Sequence, residues 1–77
     1  MGNNSPMADR LAKSIGQRIR ALREEQGLSQ EQLVAKCRVH RTYVGMVERA
    51  EKNISVAALA KFAKALRTSM SSLLEGL

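Results

Sequence analysis

The segment from residue 30 to residue 49, QEQLVAKCRVHRTYVGMVER, holds the side chains with the most binding chemistry in this sequence. It predicts a short helix, a tight turn and a second short helix from near His40 to about Arg49. Val44 and Val47 form the apolar inner side of that second helix. Its outer side is polar or small and consists of His40, Arg41, Thr42, Gly45 and Arg49. Guanidinium and hydroxyl donors on one helical face suit base edges and phosphates in the major groove of DNA.

Catalytic chemistry finds little support in the same residues. The sequence has one histidine and one cysteine, and its seven acidic residues do not cluster. It therefore offers no catalytic triad, no metal-ligand set and no glycine-rich phosphate loop. Cys37 lies on an apolar helix face with no histidine in register, which is typical of a core residue. We expect a protein that is not an enzyme and needs no metal or cofactor.

Length and charge are compatible with a small binding domain. The chain has 77 residues and a net charge of +6, from thirteen basic and seven acidic side chains. Such an excess suits a polyanion, either nucleic acid or an anionic membrane surface, although a merely basic soluble surface fits equally well. No apolar run approaches the ~18 residues of a membrane span, and the single cysteine excludes an intrachain disulfide. A cytoplasmic location is the natural expectation.

The apolar spacing is helical nearly throughout and predicts an all-α domain of five short helices over residues 9–77, after a flexible lead-in at residues 1–8. Helix one is predicted to begin near Asp9 and to end at Gly27, a left-handed C-terminal residue. Its buried stripe is Leu11, Ile15, Ile19 and Leu22. Gly16 interrupts that stripe at a cost of roughly 1 kcal/mol relative to alanine.

The remaining helices carry clear serine start signals. Ser29 and Gln32 form a capping box for helix two, and Ser55 and Ser69 cap helices four and five. The residues expected to point inward from helices two and four are Leu33, Val34, Cys37, Leu59, Phe62, Ala63 and Leu66.

Two long segments, GQRIRALREEQGLSQEQLVAKCRVHRTYVGMVER and SVAALAKFAKALRTSMSSLLEGL, resemble the lambda-repressor-like, Cro-type (XRE family) helix-turn-helix regulators. The pattern comprises an R-x-x-R helix, G-L-S-Q-E-Q-L, Y-V-x-x-V-E-R and A-K-A-L, and spans roughly residues 15–77. The run RTY followed by VER is similar to the controller proteins of bacterial restriction–modification systems. The resemblance implies a five-helix DNA-binding domain that regulates transcription as a dimer on a pseudo-palindromic operator. The controller likeness implies autoregulation of a restriction–modification operon.

The resemblance also gives roles to individual residues. The family residue that matches Gln30 touches a DNA phosphate and braces the recognition helix, and a helix N-terminus favours that anion. Arg41 would offer a fork of donors to guanine or grip a phosphate, unless it pairs with Glu48 or Glu51. Thr42 would bond a base edge or a phosphate, or else serve only as a hydroxyl at the helix start.

Four further residues of the second helix are predicted to contact DNA. The hydroxyl of Tyr43 would reach a phosphate, although plain core packing is an equal alternative. Gly45 and Met46 are expected to face outward, where Gly45 allows close approach and Met46 touches thymine methyl groups. Arg49 suits a phosphate or a base near the groove wall. His40 is expected to cap the helix, and Glu48 matches a family glutamate that pairs with an arginine of helix one, here Arg23.

Three positions depart from the family pattern. Arg38 holds the turn position that is usually glycine or asparagine, so the turn would carry roughly 1 kcal/mol of strain. Ala50 replaces the glycine that follows helix three, and Val34 is bulkier than the usual alanine at the crossing of helices two and three. Arg38 and Lys52 flank the unit and would contact the DNA backbone at most.

Apolar residues are in surplus at the end of the chain, and a second copy is their best predicted partner. The predicted dimer face is Phe62, Leu66, Met70, Leu73, Leu74 and Leu77, although core packing also claims some of these residues. The other predicted partners are double-stranded DNA and RNA polymerase. The main rival function is an antitoxin-like or other protein-interaction module of the same fold, and the weaker rival is membrane-surface binding by helix one.

Overall fold

The computed structural model describes residues 6–77 and shows five helices there and no strand: α1 (Pro6–Glu25), α2 (Gln30–Cys37), α3 (Tyr43–Glu48), α4 (Val56–Ala65) and α5 (Met70–Leu74). This confirms the all-α, five-helix prediction. α1 begins at Pro6, earlier than the predicted Asp9, because proline fits a first helical turn where no backbone donor is needed. The first five residues of the predicted lead-in at residues 1–8 lie outside the described residues.

Serine side chains fix where three of the helices begin. The Ser29 hydroxyl accepts from the Gln32 amide at 3.0 Å, and the Gln32 side chain accepts from the Ser29 amide at 2.7 Å. Ser55 and Ser69 cap α4 and α5 in the same way, although without the reciprocal bond. Each cap satisfies a backbone donor that the helix itself leaves without a partner. The predicted caps are confirmed.

The core lies where α1, α2 and α4 enclose the inner side of α3 and α5. Its most deeply buried side chains are Ile19, Leu33, Val44, Phe62, Leu66 and Leu73. The predicted inner stripe of α1 holds for Ile15 and Ile19, whereas Leu11 was wrongly included because it is 37% exposed. At that end of α1, Ala12 and Asp9 are the residues that face the loop after α3.

Three residues of the predicted dimer face belong to this core instead. Phe62, Leu66 and Leu73 are at most 1% exposed within a single copy of the chain, so none can present its side chain to a partner. Their prediction as interface residues was wrong because apolar character alone does not distinguish a monomer core from a subunit interface. Leu74 and Leu77 remain 40% and 44% exposed.

Gly16 has a packing role that its effect on helix propensity does not reveal. It is buried, and a Cβ atom there would collide with the carbonyl oxygen of Val47 and lie 3.0 Å from that of Glu48. The missing side chain lets α1 cross close to the end of α3. This contact positions the recognition region against α1.

Left-handed backbone conformations end several helices. Gly27 (φ 72°) ends α1 as predicted, but Arg38, Ala50 and Arg67 adopt φ of 57°, 58° and 58° without being glycine. The strain predicted at Arg38 thus has its backbone cause. The same conformation occurs at Ala50, which replaces the family glycine, and at Arg67, where it was not predicted. A side chain in this region costs roughly 1–2 kcal/mol, and the surrounding packing must offset it.

Candidate nucleic-acid interface

α2, the turn and α3 form the predicted helix-turn-helix, but α3 is shorter than expected. It begins at Tyr43, so His40, Arg41 and Thr42 lie in the turn before it rather than in its first turn. The left-handed residue Arg38 starts this turn, and its amide donates to the Val34 carbonyl at 2.8 Å. The turn therefore presents its side chains at the N-terminal end of α3.

His40 organises the turn instead of capping a helix that begins at its own position. Its Nδ1 atom lies 2.9 Å from the Thr42 hydroxyl and accepts from the Thr42 amide at 3.3 Å. Its carbonyl accepts from the Tyr43 amide at 2.9 Å. Thr42 is the N-cap of α3 but makes no side-chain cap hydrogen bond. Within residues 6–77, the His40 imidazole is the hydrogen-bond partner of the Thr42 hydroxyl, and Thr42 is exposed at the start of α3.

Arg41 is exposed and makes no ion pair or side-chain hydrogen bond among residues 6–77. The two acidic residues considered as its partners are engaged elsewhere: Glu48 with Arg23, and Glu51 with Arg49. Its planar set of donors is thus available to a ligand at the start of α3. Such a fork matches guanine or phosphate oxygens.

A buried ion pair anchors the other end of α3. Arg23 Nε donates to Glu48 Oε2 at 2.7 Å and its Nη2 to Oε1 at 3.0 Å, while Nη1 donates to the Leu28 carbonyl at 2.8 Å. The two side chains are only 10% and 3% exposed. The hydrogen bond to Glu48 raises the pKa of Arg23 above its ordinary value. The predicted Arg23–Glu48 pair is confirmed, and it joins α1 to α3.

Gln30 joins α2 to the same anchor. Its amide Nε2 donates to Glu48 Oε1 at 3.0 Å, while the residue itself stays exposed at the first position of α2. Gln30 thus braces α3 as the resemblance implied. A carboxylate that accepts from both Arg23 and Gln30 leaves α3 little freedom to tilt.

The predicted outward exposure of Gly45 was wrong. Gly45 is buried, and a Cβ there would lie 2.9 Å from Nη1 of Arg49 and 3.4 Å from Oε1 of Gln30. Helical side chains lean towards the N-terminus, so Arg49 folds back over the preceding turn and covers the glycine. Met46 is half-buried rather than fully outward.

Arg49 has an acidic partner close by in sequence. Its Nε and Nη2 atoms donate to the two oxygens of Glu51 at 2.8 and 3.2 Å, and both side chains are more than half exposed. The hydrogen bond from Arg49 lowers the pKa of Glu51. Glu51 therefore competes with a phosphate for the guanidinium of Arg49. Arg38 and Lys52 are exposed on either side of the unit.

Tyr43 and Cys37 serve packing. The Tyr43 ring stacks on Phe62 with centroids 6.1 Å apart, which is the core-packing alternative left open for it. Cys37 is buried with its Sγ 3.8 Å from the Lys61 carbonyl, and burial raises the pKa of its thiol. The thiol stays protonated and unreactive near neutral pH.

Among residues 6–77, no group of histidine, cysteine, aspartate or glutamate side chains could hold a metal ion. No helix in that range is both long and apolar enough to cross a membrane.

Comparisons with known proteins agree with this geometry. A helix-turn-helix family model matches residues 19–73. Control protein C.SmaI of Serratia marcescens is 45% identical over 60 residues, which cover 78% of this chain and 71% of that protein. The restriction–modification controller protein C.AhdI from Aeromonas hydrophila has a crystal structure that is 42% identical, with a TM-score of 0.78, over 80% of this chain and 94% of that one.

A third similar structure contains nucleic acid. The master regulator for biofilm formation SinR, solved in complex with DNA, is 37% identical with a TM-score of 0.75 over 79% of this chain and 98% of that one. These similarities agree in fold and cover the whole of the recognition region. The chain therefore belongs to the helix-turn-helix family, with the lambda-repressor-like fold that its sequence predicted.

Proposed function

We propose that this chain is a cytoplasmic regulator of transcription that binds double-stranded DNA in a sequence-specific manner and acts as a dimer on a pseudo-palindromic operator. The observation that carries this proposal is Arg41, an exposed arginine without an ion-pair partner among residues 6–77, at the start of a helix that is braced by Glu48. A freely available cation on a rigid support is what base recognition requires.

The N-terminal end of α3 would enter the major groove. Arg41 would donate to guanine O6 and N7, and Thr42 would contact the neighbouring base or phosphate. Gln30, at the N-terminus of α2, would bind the phosphate backbone, where the helix dipole favours an anion. Arg41 would thus recognise a base, while the phosphate contact of Gln30 would fix the position of α3 along the duplex.

Other cations would bind backbone phosphates around Arg41. Arg49 would do so in competition with Glu51, and Lys52 and Arg38 would do so from the two flanks. Tyr43 and Met46 are half-buried, so we propose that only their exposed atoms contact DNA. Gly45 has no side chain and would let the DNA approach the helix closely. Phosphate contacts of this kind make affinity fall steeply with salt.

The dimer would form through the C-terminal end of the chain. Leu74 and Leu77 are exposed apolar residues there, and Met70 is half-buried beside them. Two copies related by a two-fold axis would place their α3 helices in successive major grooves about 34 Å apart. This geometry supports an inverted-repeat operator.

The similarity to the controller proteins C.SmaI and C.AhdI supports control of a restriction–modification operon, including the gene for this chain itself. Occupancy of the operator would either block RNA polymerase or recruit it from an upstream position. Both effects need only a bound dimer and no further domain.

Selection of bound sequences from a pool of random DNA duplexes tests the proposal. We expect enrichment of an inverted repeat whose half-site centres lie about one helical turn apart. A pool that gives no enriched motif, with weak and salt-insensitive binding, would contradict the proposal and favour a protein-interaction module of the same fold.

A further inference from the structure

A groove on the side of the bundle collects positive charge, most of which the proposed DNA contacts do not use. It lies between the C-terminal ends of α2 and α4, has a volume of about 670 Å³, and has Cys37 and Ala65 on its apolar floor. Its rim carries five cations: Lys36, Arg38, Lys61, Lys64 and Arg67. We call this surface the basic groove.

The charge of the basic groove is not neutralised by the protein. No acidic side chain lines it, and none of its five cations takes part in an ion pair among residues 6–77. By contrast, Arg20 and Arg49 have glutamate partners on other parts of the surface, and Arg23 has its glutamate partner in the interior. Cations packed within a Debye length of ~10 Å repel one another and together favour an anionic ligand.

Two of these cations are held in an unfavourable backbone conformation. Arg38 and Arg67 have φ of 57° and 58°, at helix ends where glycine would be free of strain. They occupy equivalent positions after α2 and α4, and both line the same groove. The fold thus places arginine twice where glycine would be more stable.

The basic groove lies apart from most of the recognition surface. By recognition surface we mean the exposed side chains among residues 41–49 together with Gln30 and Lys52. Gln30 begins α2 and Lys52 shortly precedes α4, so these two proposed phosphate contacts lie at the N-terminal ends of the helices, whereas Arg38 is the one proposed contact that also lines the groove. The eight residues of α2 and ten of α4 carry the chain roughly 12–15 Å further to the groove. A duplex on the recognition surface would reach Arg38 at the edge and leave Lys61, Lys64 and Arg67 free.

We propose that the basic groove binds an extended acidic segment of a partner protein. Alternating carboxylates along such a segment would pair with the cations of α2 on one side and those of α4 on the other. The apolar floor at Ala65 would contact the backbone of the peptide between them. The chain would thereby hold a protein partner while its recognition surface stays on DNA.

Fluorescence anisotropy with a labelled peptide of alternating glutamate and serine tests the proposal without DNA. The groove variant K64Q/R67G removes two cations, and it keeps the fold because Arg67 already has a backbone conformation suited to glycine. The control variant R10Q/K13Q removes the same charge from exposed positions of α1. We expect the groove variant to lose roughly fivefold or more in affinity and the control less than about twofold, with both remaining folded by circular dichroism.

Equal losses in the two variants would overturn the proposal, because the peptide would then sense only net charge. Amide shifts on ¹⁵N-labelled protein should cluster at residues 36–38 and 61–67 when the peptide binds. Shifts confined to residues 41–49 would also overturn it, since they would place the peptide on the recognition surface.

Addition of a short DNA duplex should leave the peptide bound, whereas full displacement of the peptide would assign the groove to nucleic acid. Since the first measurements contain no DNA, they stand even if the proposed DNA binding fails.

Discussion

The arginines around α3 differ in whether a neighbour already occupies their donors. Arg23 is buried and fully engaged by Glu48 and the Leu28 carbonyl, so it is structural. Arg49 is exposed but held by Glu51, and Arg41 is exposed and has no such partner in the part of the chain that the structure describes. These three states predict three different responses to substitution, although the residue type is the same.

Replacing Arg41 with alanine should remove sequence discrimination more than general affinity. If its guanidinium reads a base, specific binding should weaken by about 1–3 kcal/mol while binding to random duplexes changes little. Anisotropy titrations on the selected operator and on a random duplex of equal length measure both quantities. An equal loss on the two duplexes would show that Arg41 contacts phosphate only.

Replacing Glu51 with glutamine should strengthen DNA binding. The change weakens the pairing of Arg49 with residue 51 and removes a negative charge beside the proposed phosphate path. We expect binding to tighten by about two- to fivefold at low salt, with the gain shrinking as salt screens the charges. Glu31→Gln is the control, because it removes an exposed charge that makes no ion pair among the described residues. Equal gains in affinity for the two variants would show that the effect comes from net charge alone and not from Arg49.

At the scale of helices, the recognition unit depends on how closely α1 approaches α3. Gly16 allows the backbone contact with Val47 and Glu48, and the Arg23–Glu48 pair closes the same junction one and a half to two turns later along α1. A helix of only six residues has little stability of its own. The orientation of α3 is therefore set by α1 and α2 rather than by its own sequence.

Two substitutions at this junction should act against their helix propensities. Gly16→Ala ought to stabilise a helix by roughly 1 kcal/mol, yet we expect about 1–3 kcal/mol of destabilisation because its Cβ meets the backbone of α3. Ala50→Gly should stabilise the protein by up to about 1 kcal/mol, since glycine accepts the φ of 58° freely. Urea denaturation measures both. A stabilised Gly16→Ala variant would show that α1 and α3 are not in tight contact.

Local signals explain which parts of this architecture could be read from the sequence. Ser29, Ser55 and Ser69 act on backbone donors three residues away, so their patterns fix the starts of α2, α4 and α5. The Arg23–Glu48 pair was available only through the family resemblance, because nothing local links residues in different helices.

Errors arose where side-chain packing or local hydrogen bonds decide the outcome and helical periodicity does not. Gly45 is covered by Arg49 one turn later and by Gln30 of α2, and Leu11 is 37% exposed although the periodic pattern assigns it to the core. The start of α3 was misplaced because His40 forms a turn with Thr42, a local alternative that helical periodicity does not register.

At the scale of the whole molecule, the proposed partners would bind to different surfaces. The recognition surface and the basic groove both carry positive charge, while the exposed apolar residues Leu74 and Leu77 lie at the C-terminal end of the chain. The groove between α1 and α5, beside that end, is lined by Leu22, Thr68 and Ser72 and also by one cation and one anion, Arg18 and Glu75. Its charges therefore balance, which suits a contact between identical copies better than a surface of one sign does.

Replacing Leu74 with glutamate should therefore separate the copies without unfolding them. Leu74 is 40% exposed, so a charge there stays hydrated in the monomer but would be buried in the proposed dimer. Sedimentation equilibrium should show a dimer for the unaltered chain and a monomer for the variant, with much weaker binding to the inverted repeat. Val56→Glu is the matched control, because Val56 is 74% exposed but lies at the start of α4. A variant at Leu74 that still sediments as a dimer would exclude this face, whereas loss of the dimer in the Val56 variant alone would move the contact to α4.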